Sequence, residues 1–293
     1  MNVSNKVFCG YLFEWYPQVD PTTIPLEYNM IVVAFLGERP DGLPTFEPLA
    51  NYLTQERFIE AVELWKSQGR EVLISLGGGQ NDTVALRLDQ KQAFKDEIRD
   101  VVQKYGFTGF DIDLEGLSIE AADNSSVIPA VLNELKREFN QQGRKFLITM
   151  APEFPYLREP NVASYKPYLD KTEYDLIFPQ FYNQGSDGIW TGEFGYLTQI
   201  DDEQKGPFLY SMCKAMINGT SGYYQIPADK LAIGLPASPD AALNGYVKDP
   251  SAVQYALDRL RNEDMDIRGL MTWSINQDSV NGYEFVQRYA HML

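Results

Sequence analysis

The chain has 293 residues, of which 44% are hydrophobic and 13% aromatic, and its formal net charge is −16 at pH 7. The length allows one large domain or two small ones, and the hydrophobic fraction is sufficient for a large core. The charge argues against nucleic acid as a partner because a polyanion would be repelled, whereas a neutral or cationic polysaccharide is compatible with it.

Histidine and cysteine are too scarce for most metal or nucleophile chemistry. Cys9 and Cys213 lie far apart without CxxC spacing, and the one histidine, His291, is close to the C-terminus. A Ser-His-Asp mechanism, a zinc signature and a histidine metal cluster are therefore not expected. The sequence predicts no metal and no other cofactor, so the chemistry would depend on carboxylates, tyrosines, amides or hydroxyls.

The start of the chain is polar, with no positively charged segment followed by an apolar run. No apolar stretch reaches the length that spans a bilayer, so no membrane partner is expected. The protein would stay inside the cell, lose a leader, or leave by another export route. A monomer is the default expectation.

Eight short apolar segments, rich in β-branched residues, are predicted as strands. They cover residues 7–13, 30–36, 71–77, 109–115, 145–152, 175–182, 231–237 and 269–275. Their nearly continuous apolar character is typical of a sheet that is covered on both faces.

Amphipathic segments between these strands are predicted as helices, and one connection is predicted as a proline-rich loop. The helices cover residues 58–67, 91–105, 127–142, 252–262 and 283–293, and the loop covers 16–27. Strands that alternate with helices, without a linker or a break in composition, predict one α/β domain over residues 1–293, a (β/α)₈ TIM barrel. A doubly wound open sheet is the alternative, and the lack of GxGxxG after the first strand weighs against it.

The fourth predicted strand carries the most informative segment, because catalytic groups of such barrels lie at the C-terminal ends of strands. Residues 106–115 are GFTGFDIDLE. Successive strand side chains point to opposite faces, so Asp111, Asp113 and Glu115 share one face. Like charges in a shared site raise at least one pKa, and Glu115, at the strand end, is the natural proton donor. The residues alone leave catalysis and a metal site equally open, although calcium would need more backbone oxygens and a glycine-bearing loop.

This segment resembles the DxxDxDxE signature of glycoside hydrolase family 18, the chitinases and related endo-N-acetylglucosaminidases. Three further segments resemble family motifs: SLGG at 75–78 its SxGG motif, QFYN at 180–183 its QxYN variant, and MTWS at 271–274 the segment with its active-site tryptophan. MAPE at 150–153 is also similar to the family. The resemblance covers residues 7–278, almost the whole chain, and implies the short form of the enzyme without an inserted domain.

The resemblance implies a retaining endoglycosidase that cleaves β-1,4-linked N-acetylglucosamine by substrate-assisted catalysis. Glu115 would protonate the glycosidic oxygen, the substrate's own 2-acetamido carbonyl would attack the anomeric carbon, and Glu115 would then activate a water. Asp113 would accept a hydrogen bond from the acetamido N–H, and Asp111 would share a proton with Asp113. Tyr182 would donate its hydroxyl to the acetamido oxygen.

Other residues are expected to bind the substrate, which would be chitin or an N-acetylglucosamine oligosaccharide. Trp273 would form the floor under the sugar, with a core position as the alternative. Gln180 and Asn183 would orient the intermediate and its water, with strand-end capping as the alternative.

The resemblance also implies three residues near the acids. Tyr11 would hydrogen-bond near the catalytic acids, and Ser75 would bond to Asp111. Met150 would pack against the acetamido methyl, or else belong to the core. Candidate stacking platforms for neighbouring sugars are Phe13, Trp15, Tyr16 and Trp190.

Two features of this sequence bear on what the family resemblance implies. Residues 236–268 leave room for one loop and one helix only, which predicts an open, shallow cleft and favours endo cleavage. The first Asp of the signature is Thr108, which by strand parity faces the helices. We therefore expect altered support of the strand and not lost chemistry, unless a bulge resets the alternation.

Three alternatives stay open. One is an endo-β-N-acetylglucosaminidase that acts on N-glycans, and another is a chitin-binding lectin on the same barrel. The presence of Glu115, Asp113 and Tyr182 weighs against the lectin, and a protein-binding inhibitor barrel has no positive support. Because chitin lies outside most cells, a secreted protein is favoured over a cytoplasmic one that trims imported oligosaccharides.

Overall fold

The apolar runs of the sequence form a parallel barrel surrounded by helices, in a computed structural model that describes residues 6–79 and 83–293. The strands are β1 (Val7–Phe13), β2 (Met30–Ala34), β3 (Gly37–Glu38), β4 (Pro44–Thr45), β5 (Glu71–Gly77), β6 (Gly109–Asp113), β7 (Leu147–Met150), β8 (Leu176–Ile177), β9 (Gly188–Thr191), β10 (Gly195–Thr198), β11 (Ala232–Pro236) and β12 (Gly269–Trp273). The helices are α1 (Gln55–Ser67), α2 (Lys91–Tyr105), α3 (Leu117–Glu120), α4 (Asn124–Gln141), α5 (Val162–Lys171), α6 (Lys205–Asn218), α7 (Ser251–Asn262), α8 (Ile275–Val280) and α9 (Glu284–Tyr289).

Eight of these strands form one sheet in the order β11, β12, β1, β2, β5, β6, β7 and β8. Parallel bridges between Ile177 and Leu231 and between Gln180 and Gly234 join its two edges. The sheet is therefore a closed (β/α)₈ barrel, as predicted, and the open-sheet alternative is wrong. Two antiparallel hairpins, β3–β4 and β9–β10, follow the second and sixth barrel strands.

Several barrel strands are shorter than predicted at their C-terminal ends. Strands β7 and β8 end at Met150 and Ile177, and beyond them the chains meet only at single bridges such as Glu153 to Gln180. Pro152 and Pro179 lie in these stretches and have no N–H for a ladder. The last barrel strand ends at Trp273, since the Ser274 hydroxyl accepts a hydrogen bond from the Gln277 N–H at 3.3 Å and so starts α8.

The alternation along β6 is as predicted. Phe110, Ile112 and Leu114 are buried in the core between barrel and helices, whereas Asp111 and Asp113 face the barrel interior with residues such as Tyr11. No bulge interrupts the pairing of β6 with β5 or β7. Glu115 lies two residues beyond the hydrogen-bonded strand, at the mouth of the barrel.

The connection between β11 and β12, all of it described, consists of a short 3₁₀ helix at Pro239–Ala241 and α7. The expectation that no further module is inserted there is confirmed. Within residues 6–79 and 83–293, no helix is both long and apolar enough to cross a membrane.

Candidate active site

The register of three neighbouring strands places hydroxyl groups around Asp111. Ser75 on β5 and Thr149 on β7 are the partners of Asp111 in the two adjacent ladders. The Ser75 hydroxyl donates to Asp111 Oδ2 at 2.6 Å, and the Thr149 hydroxyl donates to Oδ1 at 2.5 Å. Tyr11 crosses the barrel from β1 and donates to Oδ2 at 2.7 Å. Both expected contacts, from Tyr11 and Ser75, are present, and Thr149 is a third.

Burial and hydrogen bonding act on Asp111 in opposite directions. Desolvation raises the pKa of its carboxyl, and the three hydroxyl donors, from Ser75, Thr149 and Tyr11, partly lower it again. No hydrogen bond joins Asp111 to Asp113 in the described part of the chain, so proton sharing between these two acids stays a prediction that needs one carboxyl to turn.

Gln180 connects the two acids nearest the cleft. Its Nε2 lies 3.0 Å from Asp113 Oδ1, 3.1 Å from Glu115 Oε1 and 2.9 Å from the Ala151 carbonyl, so its two hydrogens are shared among these three acceptors. Burial, and then the carboxylates of Glu115 and Asp111, raise the pKa of Asp113 well above its usual range. Asp113 therefore favours its protonated form, and Gln180 holds it beside the half-buried Glu115.

Tyr182 is buried against the same acids and lines the cleft. Desolvation, and then the charges of Asp113 and Glu115, raise the pKa of its phenol, so it remains a proton donor. Gly245 packs directly on its backbone with φ of +98°, and a Cβ added there would lie 2.6 Å from Tyr182 Cα. The sequence did not single out Gly245, and only its place in the fold explains why a glycine is needed.

Aromatic rings form the floor of the cleft. Trp273, at the end of β12, packs against Phe35 with centroids 5.8 Å apart and planes inclined by 15°, and against Tyr11 at 5.8 Å. Trp15 also lines the cleft and is stacked on Phe13 at 4.4 Å. Phe35 is a cleft residue that sequence reasoning missed, although it directly follows a strand.

Three of the four proposed stacking aromatics do not line the cleft. One of them, Phe13, is buried, with Trp15 stacked on it. Tyr16 is 89% exposed, and Trp190 is 74% exposed on β9, where it pairs with Tyr196. Neither lines the cleft around the acids. Asn183, in contrast, does line it, and its side-chain oxygen accepts from the Leu243 N–H at 2.8 Å.

The structure does not bring Met150 to the cleft, and its proposed contact with an acetamido methyl is corrected here. Met150 is fully buried in the core on the helix side of β7. Strand alternation turns its neighbours Thr149 and Ala151 into the barrel instead.

The cleft has a volume of about 540 Å³, which lies within the range of small-molecule sites. Glu153, from the MAPE segment, lines it and accepts a hydrogen bond from Gln184 Nε2 at 2.8 Å. Among residues 6–79 and 83–293, no group of three or more His, Cys, Asp or Glu side chains is arranged to hold a metal ion.

The family model described as Glycosyl hydrolases family 18 matches residues 7–256, most of the chain. The protein belongs to glycosyl hydrolase family 18. A chitinase from Enterococcus faecalis is 43% identical over 98% of this chain and 88% of its own length. A family GH18 chitinase from Chromobacterium violaceum is 28% identical, with a TM-score of 0.83 over 98% of this chain and 83% of that one. A putative chitinase A from Streptomyces coelicolor is 25% identical, with a TM-score of 0.79 over 98% of both chains.

Thr108 stands at the position of the first Asp in the family 18 signature. Thr108 lies just before β6, where its hydroxyl accepts from the Val72 N–H at 3.0 Å and donates to the Val72 carbonyl at 3.3 Å. These bonds tie β6 to β5 at the end of the strands remote from the acids.

Replacing Thr108 with valine is expected to lower the free energy of unfolding by about 1–2 kcal/mol, because both hydrogen bonds to Val72 are lost. The kcat should stay within about twofold of wild type, since no acid changes its partners. Urea denaturation and steady-state kinetics measure the two effects, with Thr108→Ser as the control that keeps the hydroxyl. A large loss of kcat at unchanged stability would show that position 108 acts on the chemistry.

Proposed function

We propose that this family 18 enzyme is a chitinase that hydrolyses β-1,4-linked N-acetylglucosamine within the chain, with retention and by substrate-assisted catalysis. The observation that carries the proposal is the Gln180 amide that bridges Asp113 and Glu115 above the Trp273 floor. The two carboxyl groups thus lie side by side in one cleft, as a proton donor and a partner for an acetamido N–H would have to.

The proton transfers follow from the places of the acids. Glu115 is the acid that extends furthest toward the mouth, so it would donate to the leaving glycosidic oxygen and later accept a proton from water. The new bond would form between the substrate's 2-acetamido oxygen and the anomeric carbon as the glycosidic bond breaks. Asp113 would accept from the acetamido N–H as positive charge develops on that group.

The surrounding residues would hold this geometry. Tyr182, whose phenol stays protonated, would donate to the acetamido oxygen. Gln180 and Asn183 lie at the adjoining strand end and would orient the intermediate and the incoming water. Cleavage within the chain is favoured because the connection between β11 and β12 adds no module to wall the cleft.

Hydrolysis of an N-acetylglucosamine hexamer, compared with a glucose hexamer of the same β-1,4 linkage, tests the proposal. The first should be cut to shorter oligomers whose new ends are initially β anomers, and the second should not, because it lacks the acetamido group. Initial α anomers would contradict retention. Binding without cleavage, or cleavage of N-glycan cores only, would contradict the chitinase proposal.

A further inference from the structure

Three carboxylates outside the catalytic set line the part of the cleft that adjoins β1 to β4. Glu14 follows β1, Glu38 lies on β3, and Glu47 follows β4; we call this part the acidic arm. The arm opens into the same cavity as Asp113 and Glu115. None of the described residues that line this cavity is a lysine, arginine or histidine, so no positive side chain offsets the acids there.

Glu14 is the buried member of the acidic arm. Its side chain is 4% exposed and lines the cavity, and its Oε1 accepts a single long hydrogen bond from the Leu49 N–H at 3.3 Å. Its Oε2 has no hydrogen-bond partner in the described part of the chain. Burial raises the pKa of Glu14 to about 7, and the hydrogen bond from the Leu49 N–H lowers it again only in part.

The other two carboxylates differ from Glu14 in having no polar partner in the described part of the chain. Neither Glu38 nor Glu47 makes a hydrogen bond or ion pair with the described residues. Arg39, next to Glu38 in sequence, instead pairs with Glu97 at 2.7 Å and Asp41 at 3.0 Å. Glu38 and Glu47 thus line the cavity without a partner, and Glu14 joins them when an ammonium beside it favours its ionised form.

We propose that the acidic arm binds the protonated amine of a glucosamine unit, so that the enzyme prefers partially deacetylated chitin chains. The inference rests on the proposed function and extends it to a second part of the same cleft. An acetamido group offers these carboxylates one neutral N–H, whereas an ammonium offers three charged donors. The unit at the cleavage point would still be N-acetylated, because its acetamido group takes part in the reaction.

The electrostatic field of the whole protein also favours a positively charged substrate. The chain carries a net charge of −16, and a cleft lined by one sign of charge concentrates ligands of the opposite sign. A cationic chain would therefore be captured faster than a neutral one, and added salt should reduce that advantage.

The test compares wild type with a triple variant, Glu14→Gln, Glu38→Gln and Glu47→Gln, at a pH where the amine is protonated. Glutamine keeps the side-chain shape and still accepts the Leu49 N–H. The measured quantity is kcat/KM on a partially deacetylated oligosaccharide divided by kcat/KM on the fully acetylated hexamer. We expect this ratio to fall at least about tenfold, since each ammonium–carboxylate contact loses its charge.

A second triple variant with the same change in net charge is the matched control. Glu56→Gln, Glu60→Gln and Glu63→Gln alter only exposed residues of α1, so the ratio should stay at the wild-type value. If the arm triple does not fold, the double variant Glu38→Gln and Glu47→Gln, both exposed, should still lower the ratio.

An unchanged ratio in folded arm variants would overturn the inference. Equal falls in the arm variant and the α1 control would overturn it too, because net charge alone would then explain the preference. Failure of the proposed function would look different, since the wild type itself would not cleave the acetylated hexamer.

Discussion

Replacing Glu115 with glutamine is expected to lower kcat on an N-acetylglucosamine hexamer by about 10²–10⁴-fold, the usual contribution of general acid–base catalysis. Glutamine has almost the same shape but cannot protonate the leaving oxygen or take a proton from water. Its side-chain oxygen still accepts from Gln180 Nε2, so the neighbouring Asp113 keeps its place. Substrate binding should be nearly unchanged, and steady-state kinetics with a separate binding measurement would check both.

Glu120→Gln is a suitable control, because Glu120 is an exposed residue of α3, five positions along the chain. It makes the same chemical change outside the cleft and should leave kcat at the wild-type value. If Glu115→Gln kept more than about a tenth of the wild-type kcat, another group would have to be the proton donor.

The barrel and its acidic strand could be predicted because both follow from local rules. Continuous apolar runs indicated strands buried on both faces, and alternation placed Asp111, Asp113 and Glu115 together inside the barrel. That alternation applied because β6 pairs regularly with both neighbours, as the contacts of Asp111 with Ser75 and Thr149 demonstrate.

Met150 is the instructive error. Its motif lies at the end of the correct strand, but the residue was judged by the motif and not by the alternation that worked for β6. Thr149 pairs with Asp111 in the ladder, so Met150 must point toward the helices. The same rule applied to residues 147–151 would have selected Thr149.

Other features depend on packing between residues that are distant from one another in the sequence. Helix α6 was not predicted because most of its residues are buried, including Lys205, so no apolar stripe alternates with a polar one. Gly245 is required only because Tyr182, distant in sequence, lies against it. Phe35 meets Trp273 because β1 pairs with both β2 and β12 and so brings the ends of these two strands together.

Asp113→Asn is expected to stabilise the protein at neutral and alkaline pH while lowering kcat by about 10²-fold or more. In the unfolded chain, Asp113 ionises near its ordinary pKa of about 3.9, whereas in the fold its burial and the carboxylates beside it hold the proton to higher pH. Between these two pKa values the folded state binds more protons than the unfolded state, so the free energy of unfolding falls as pH rises. Asparagine cannot ionise, so it removes this decrease in the free energy of unfolding. Its side-chain oxygen can still accept a hydrogen bond from Gln180.

Thermal unfolding at several pH values separates this effect from other causes. The Tm of Asp113→Asn should exceed that of wild type at pH 8, by about 2–4 °C for each 1 kcal/mol relieved, and the two should converge toward pH 4. Asp240→Asn, at an exposed residue, should follow the wild type at every pH. A constant difference across the range would mean that the substitution acts through packing, because only a carboxyl held protonated by the fold makes the gain depend on pH.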